Sequence, residues 1–127
     1  MEAAAKGALS VLVRHASAGD RRGWEGDDRL RPLDDRGRRQ AAELAEKLRP
    51  LEIRRIVSSP YVRCVQTMEP LAAVLGLEVE RDDRLAEGAG SAAAELVGEE
   101  GVAACTHGDV IHDLLGHGLK KGEFVRL

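Results

Sequence analysis

Two rhythms of apolar and polar positions run along the chain. Leu9-Ser10-Val11-Leu12-Val13 is a short apolar run rich in branched side chains, which predicts a buried strand ending at Arg14-His15. Residues 16–34 carry Gly19, Gly23, Gly26, Asp27, Asp28 and Pro32 and predict a long polar loop. The rhythm then lengthens. Ala41, Leu44, Ala45 and Leu48 recur at helical spacing, in a helix opened by Asp35-Arg36-Gly37 and stopped at Pro50. Ile53 to Ser58 predicts a second strand. Ser59-Pro60 predicts the capped start of a helix whose apolar face is Val65, Met68, Ala72 and Leu75, with a break or kink at Pro70 and an end at Gly76. Leu77 to Glu80 predicts a third strand. Ser91 is expected to cap a helix through Val97, and Gly101 to Cys105 predicts a fourth strand ending at Thr106-His107-Gly108. Asp109 is expected to cap a helix carrying Val110, Ile111, Leu114 and Leu115, with Phe124 to Leu127 as an edge strand. Strands alternating with helices predict an α/β fold around a mostly parallel sheet.

Length and composition narrow the function classes. The 127 residues fit one domain, residues 1–127, with residues 1–7 expected to be frayed. Nineteen Lys and Arg against 22 Asp and Glu give a net charge of −3, which argues against a nucleic-acid or membrane-surface binder. Aromatic residues make up only 2%, so base-stacking platforms are scarce. No stretch approaches the ~20 apolar residues of a membrane span, and the start lacks the pattern of a secretory signal, so the expected compartment is cytoplasmic. The two cysteines, Cys64 and Cys105, suggest no disulfide framework and are expected to be small buried hydrophobes, Cys105 inert in its strand.

The chemistry gathers where strands end. Ligands of open α/β sheets bind outside the carboxyl ends of the strands. Arg14-His15, Ser58-Ser59-Pro60 with Arg63 close behind, and Thr106-His107-Gly108 all occupy such ends. Two histidines, two arginines and the helix starts beside them suit a small tetrahedral anion. Of the two serines, Ser59 is expected to cap its helix, and Ser58 is left open between a cap and an anion contact. His107 and His112 are spaced onto different helix faces, so no metal-ligand set is expected and no cofactor is called for. His112 and His117 are expected to be helix and cap residues. A histidine in such a pocket can donate hydrogen bonds or attack phosphorus. Neighbouring arginines disfavour a proton on the ring and so leave a nitrogen free.

These motifs resemble the histidine phosphatase superfamily, with its phosphoglycerate mutase-like fold. The chain carries Leu12-Val13-Arg14-His15-Ala16, then Leu33-Asp34-Asp35-Arg36-Gly37-Arg38-Arg39-Gln40-Ala41, then Ser58-Ser59-Pro60-Tyr61-Val62-Arg63-Cys64-Val65-Gln66-Thr67, then Thr106-His107-Gly108. Within the superfamily the likeness is to the small SixA-type phosphohistidine phosphatases, given the Ala16 variant and the absence of inserted lid segments. The resemblance implies a three-layer sandwich with helices on both faces of the sheet. It implies that His15 is the nucleophile of a metal-independent phosphohydrolase, that Arg14, Arg63 and His107 hold the phosphate, and that Glu87 protonates the leaving group. It implies phosphohistidine in a protein as substrate, with a broad-specificity small-molecule phosphomonoesterase as the alternative and a non-catalytic phosphoprotein-binding module behind both. Oligomeric state stays open.

Overall fold

The computed structural model describes residues 9–127; the frayed start expected for residues 1–7 lies outside the described residues. Five strands form one sheet: β1 (Val11–Arg14), β2 (Arg55–Ser58), β3 (Val79–Arg81), β4 (Val102–Thr106) and β5 (Phe124–Arg126), in the order β3-β2-β4-β1-β5. The first four are mutually parallel, and β5 runs antiparallel along the edge of β1. Four helices accompany them: α1 (Asp35–Leu48), α2 (Val62–Leu75), α3 (Ala94–Val97) and α4 (Gly108–Leu115).

Alternation along each strand sorts the core into two layers. Val11, Val13, Ile56, Ala103 and Cys105 face α1 and α2, packing on Leu44, Leu48, Met68 and Leu71. Leu12, Val57 and Ala104 face the other way, onto Leu96, Val97 and Ile111 from α3 and α4. The three-layer sandwich follows. β4 is buried at all five positions, as a central parallel strand must be.

Four local expectations are corrected. α2 runs through Pro70 without stopping. A proline there withdraws one N–H from the helix, but Met68, Leu71 and Ala72 on the same segment are buried in the core and hold the helix to the sheet. Ser59 does not cap α2; the cap position is Tyr61, and it makes no side-chain cap bond. α3 starts at Ala94, later than Ser91 predicted, after a turn in which the Ala94 N–H reaches the Ser91 carbonyl. Asp109 is not the cap of α4 either. That position is His107, and the Asp109 carboxylate instead accepts the Gly88 N–H at 2.8 Å.

The long loop is ordered by two short 3-10 turns, Arg21–Gly23 and Asp28–Leu30. Asp34 caps α1 by accepting the Gly37 N–H at 2.7 Å, and its other oxygen accepts from the Ser17 hydroxyl and the Gly19 N–H. The loop lies so close that a Cβ on Gly37 would sit 1.9 Å from the Ser17 carbonyl oxygen, which is backbone and cannot step aside. Gly37→Ala is therefore expected to cost about 1–3 kcal/mol or more, as an overpacked site does. Urea unfolding should show the loss, and a midpoint equal to wild type would contradict this packing.

Candidate active site

The site is assembled by the ladder beyond the strand ends. The His15 N–H donates to the Thr106 carbonyl at 3.1 Å, and the Ser59 N–H donates to the Cys105 carbonyl at 2.9 Å. Pairing of β1 and β2 with β4 thus carries His15, Ser59 and His107 to one edge of the sheet. The rings of His15 and His107 stand edge to face, with centroids 5.4 Å apart. A cleft of about 350 Å³ opens there, lined by Arg14, His15, Arg21, Arg31, Glu87, His107 and Lys121, among others.

His15 is buried, and its Nδ1 lies 2.8 Å from the Ala16 carbonyl. A carbonyl oxygen carries no proton, so Nδ1 is the protonated nitrogen and Nε2 keeps a lone pair. Burial, chiefly, lowers the ring's pKa from 6.5 to about 3, against the raising effect of the Ala16 bond; His107, Arg63 and Arg14 add smaller repulsive effects. The free nitrogen expected from neighbouring arginines is thus secured first by desolvation. This has a measurable consequence. Between about pH 3 and 6.5 the unfolded chain binds a proton at His15 that the folded chain does not. Stability therefore rises with pH across that window. His15→Asn should flatten the rise in urea titrations; identical pH profiles for the two proteins would refute it.

The cations around it are held at one end and open at the other. Arg14 donates from Nη1 to the Leu119 carbonyl at 2.7 Å, while its buried Nε has no partner. Its guanidinium crosses the first turn of α4 at Gly108, where a Cβ would lie 2.9 Å from Arg14 Cζ. Arg63 is fully buried, donates from Nη1 to the Asp28 carbonyl at 2.8 Å, and leaves Nε without a partner. Its Nη2 is 3.1 Å from an Asp28 carboxylate oxygen and 3.6 Å from Glu87, and its guanidinium sits 4.9 Å from the Tyr61 ring centre. His107 is buried with Nδ1 unpartnered. Buried donors without a partner on Arg14, Arg63 and His107 are groups that suit an anion.

Glu87 lines the same cleft, with one oxygen accepting from Arg21 Nη2 at 2.8 Å. Ser58 is fully buried and donates to the Ser59 carbonyl, so it turns away from the cleft. Cys64 is buried as expected but not isolated: its Sγ lies 3.5 Å from His107 Nε2. Burial resists its ionisation, yet contacts with Cys105 and His107 outweigh that and lower its pKa.

Several residues went unread in the sequence. Asp28 holds three arginines: Arg31 at 2.9 Å, Arg63 at 3.1 Å and Arg21 at 3.6 Å. Burial alone would raise the Asp28 pKa, but the Arg31 bond and the charges of Arg63, Arg31 and Arg21 hold it below the usual carboxylate range. Thr67 accepts the Ala16 N–H, Gln40 the Ser17 N–H and Gln66 the Leu33 N–H, which fixes the segment following His15. The signal for Asp28, Arg21 and Arg31 was the Asp- and Arg-rich loop itself, whose partners are distant in sequence. Among the described residues no group of three His, Cys, Asp or Glu could hold a metal ion, and no helix is long and apolar enough to cross a membrane.

A family model, histidine phosphatase superfamily (branch 1), matches residues 10–92. The chain belongs to this superfamily. A curated relative, the 8-oxo-(d)GTP phosphatase of Mycolicibacterium smegmatis, is 39% identical over 114 residues, covering 83% of this chain and 35% of that protein. The chain spans about a third of the length of the curated relatives it matches. Among solved structures, the protein histidine phosphatase SixA complexed with tungstate superposes with a TM-score of 0.75 at 19% identity, covering 94% of each chain. A mycobacterial glucosyl-3-phosphoglycerate phosphatase in complex with VO3 superposes with a TM-score of 0.78 at 20% identity, covering 94% of this chain and 90% of that one. At those identities the likeness is one of fold: the superfamily's phosphoglycerate mutase-like α/β sandwich.

Proposed function

We propose that this chain is a metal-independent phosphohydrolase that works through a covalent phosphate on His15 Nε2. One observation carries the reading. A buried imidazole, anchored through Nδ1 and unprotonated at Nε2, lines a cleft beside two buried donors without partners, Arg14 Nε and His107 Nδ1. Nε2 attacks phosphorus in line, the Nε2–P bond forms, and the bond to the leaving group breaks with its electron pair. Arg14, Arg63 and His107 take the charge that spreads over the phosphoryl oxygens. Water then attacks phosphorus, the Nε2–P pair returns to the ring, and phosphate departs. Glu87 is the group proposed to trade protons with the leaving group and the water.

The setting of Glu87 bears on the substrate. Its carboxylate accepts from Arg21 at 2.8 Å and lies 3.6 Å from Arg63, so both oxygens are turned to cations rather than set out toward a leaving group to hand it a proton. An alkoxide leaving group needs that proton, a service worth ~10²–10⁴-fold; the imidazole of phosphohistidine and the phosphate of an anhydride need it far less. We therefore place the substrate among activated phosphoryl compounds, with phosphohistidine in a protein as the first reading, consistent with a cleft open at the surface. A nucleoside polyphosphate is the second. It is favoured by the 39% identity to a protein named for 8-oxo-(d)GTP, and by Arg21, Arg31 and Lys121 along the cleft beyond the phosphate-holding groups.

The test is kcat/KM, with chelator present, for a phosphohistidine protein, a nucleoside triphosphate and an alkyl phosphate, in wild type and Glu87→Gln. One of the first two should lead, and Glu87→Gln should change it by less than about tenfold, below the usual general-acid contribution. An alkyl ester that leads in wild type and collapses in the variant would make this a phosphomonoesterase with Glu87 as a working acid.

A further inference from the structure

His107 has to present a proton, not a lone pair, to a phosphoryl oxygen, and a neutral imidazole has only one proton to give. Which nitrogen holds it depends on what the other one meets. Nδ1 is buried and has no protein partner. Nε2 lies 2.9 Å from Ser59 Oγ and 3.5 Å from Cys64 Sγ. Both of these side chains are fully buried, so no solvent competes for them.

The Ser59 hydroxyl is itself constrained. Its oxygen accepts the Tyr61 N–H at 3.2 Å, in the turn that leads into α2. That contact uses a lone pair and leaves the hydroxyl proton to be placed. His107 Nε2, at 2.9 Å, lies in position to accept it. An Nε2–H would turn the hydroxyl proton away from that partner, and a bare Nδ1 would be left among the anion's oxygens. With the hydroxyl donating to Nε2, both problems vanish: Tyr61 N–H to Ser59 Oγ, Ser59 O–H to His107 Nε2, and His107 Nδ1–H toward the anion. Cys64 Sγ lies farther from the same nitrogen, at 3.5 Å, so the Ser59 hydroxyl is the nearer of its two partners.

We propose that Ser59 is a positioning residue that sets the His107 tautomer, aiming the Nδ1 proton at the transferring phosphoryl group. The serine that looked like a helix cap thus works one step behind the anion. The inference rests on the phosphoryl-binding role of His107 and is independent of which substrate the cleft takes. It explains why Ser59 sits two residues before the α2 cap position and makes a side-chain bond across the sheet, to the end of β4. It also predicts an asymmetry among variants. Ser59→Thr keeps the hydroxyl. Ser59→Ala removes it.

Two measurements test it. The first is ¹⁵N NMR of the imidazoles of the wild-type protein at neutral pH, with His107→Gln used to assign the signals. His107 should show a protonated Nδ1 and a bare Nε2, and the opposite tautomer would overturn the proposal whatever happens to any variant. The second is steady-state turnover of p-nitrophenyl phosphate. Ser59→Ala should lower kcat by about 10-fold or more with KM little changed, the scale seen when a histidine loses the partner that orients it, and Ser59→Thr should recover most of the loss. Equal kcat in wild type and Ser59→Ala would overturn the role of the hydroxyl. If the wild-type protein turns over no phosphate ester or anhydride at all, the proposed function fails, while the tautomer is still read directly by NMR.

Discussion

Replacing His15 with alanine is expected to abolish turnover on every phosphoryl substrate while the fold persists. The expectation is large because no other group in the cleft can take its part. Its ring alone combines an anchored Nδ1–H, at 2.8 Å from the Ala16 carbonyl, with an unprotonated nitrogen facing the unpartnered donors. Removing a nucleophile from a preorganised site costs up to ~10⁶-fold, with residual catalysis left to the surrounding donors. Structurally the change is mild. His15 follows the last residue of β1, and its backbone N–H still reaches Thr106. Circular dichroism and urea unfolding should therefore report a folded protein. Retention of more than a few per cent of wild-type kcat would remove His15 from the centre of the account.

Arg63→Ala and His107→Ala form the second large effect: each is expected to lower kcat by ~10²–10³-fold, the scale of a lost transition-state donor. Their unpartnered nitrogens, Arg63 Nε and His107 Nδ1, would gain most as charge develops on the phosphoryl oxygens. A change confined to KM would mean that they bind ground state and transition state alike. Arg63 needs a control, because its loss also deprives Asp28 and Glu87 of a buried partner and Tyr61 of a cation at 4.9 Å. Arg63→Lys keeps the charge but not the planar fork that addresses two oxygens at once. It should hold the unfolding midpoint closer to wild type while kcat remains depressed.

What could be read from the chain alone divides along a physical line. The strands and the two long helices were legible because burial imposes a period on a continuous stretch: Val11 to Val13, Ile56 and Val57, and Ala41 to Leu48 each announce a face. The meeting of the candidate site residues was legible because parallel strands end at one edge, so Arg14-His15 and Thr106-His107 had to come together. The helix does not break at Pro70, because the core contacts of Met68 and Leu71 hold α2 together where local propensity alone would end it. Ser59 and Asp109 were misread as caps for the opposite reason. Both have capping chemistry, but their partners, His107 and Gly88, lie far along the chain, and nothing local reveals them. The same holds for Asp28, whose ties to Arg21, Arg31 and Arg63 exist only once the loop has folded over the sheet edge.

The central claim is a phosphate bond to one particular nitrogen, and trapping that bond tests it most directly. The protein is mixed with a turning-over substrate labelled in its transferable phosphate, denatured in base, digested under alkaline conditions and read by mass spectrometry. The account predicts one phosphorylated peptide, containing His15, whose phosphate is stable in base and lost in acid, and which is absent from His15→Ala. Sustained turnover with no phosphate on His15, or with the label on another residue, would contradict it.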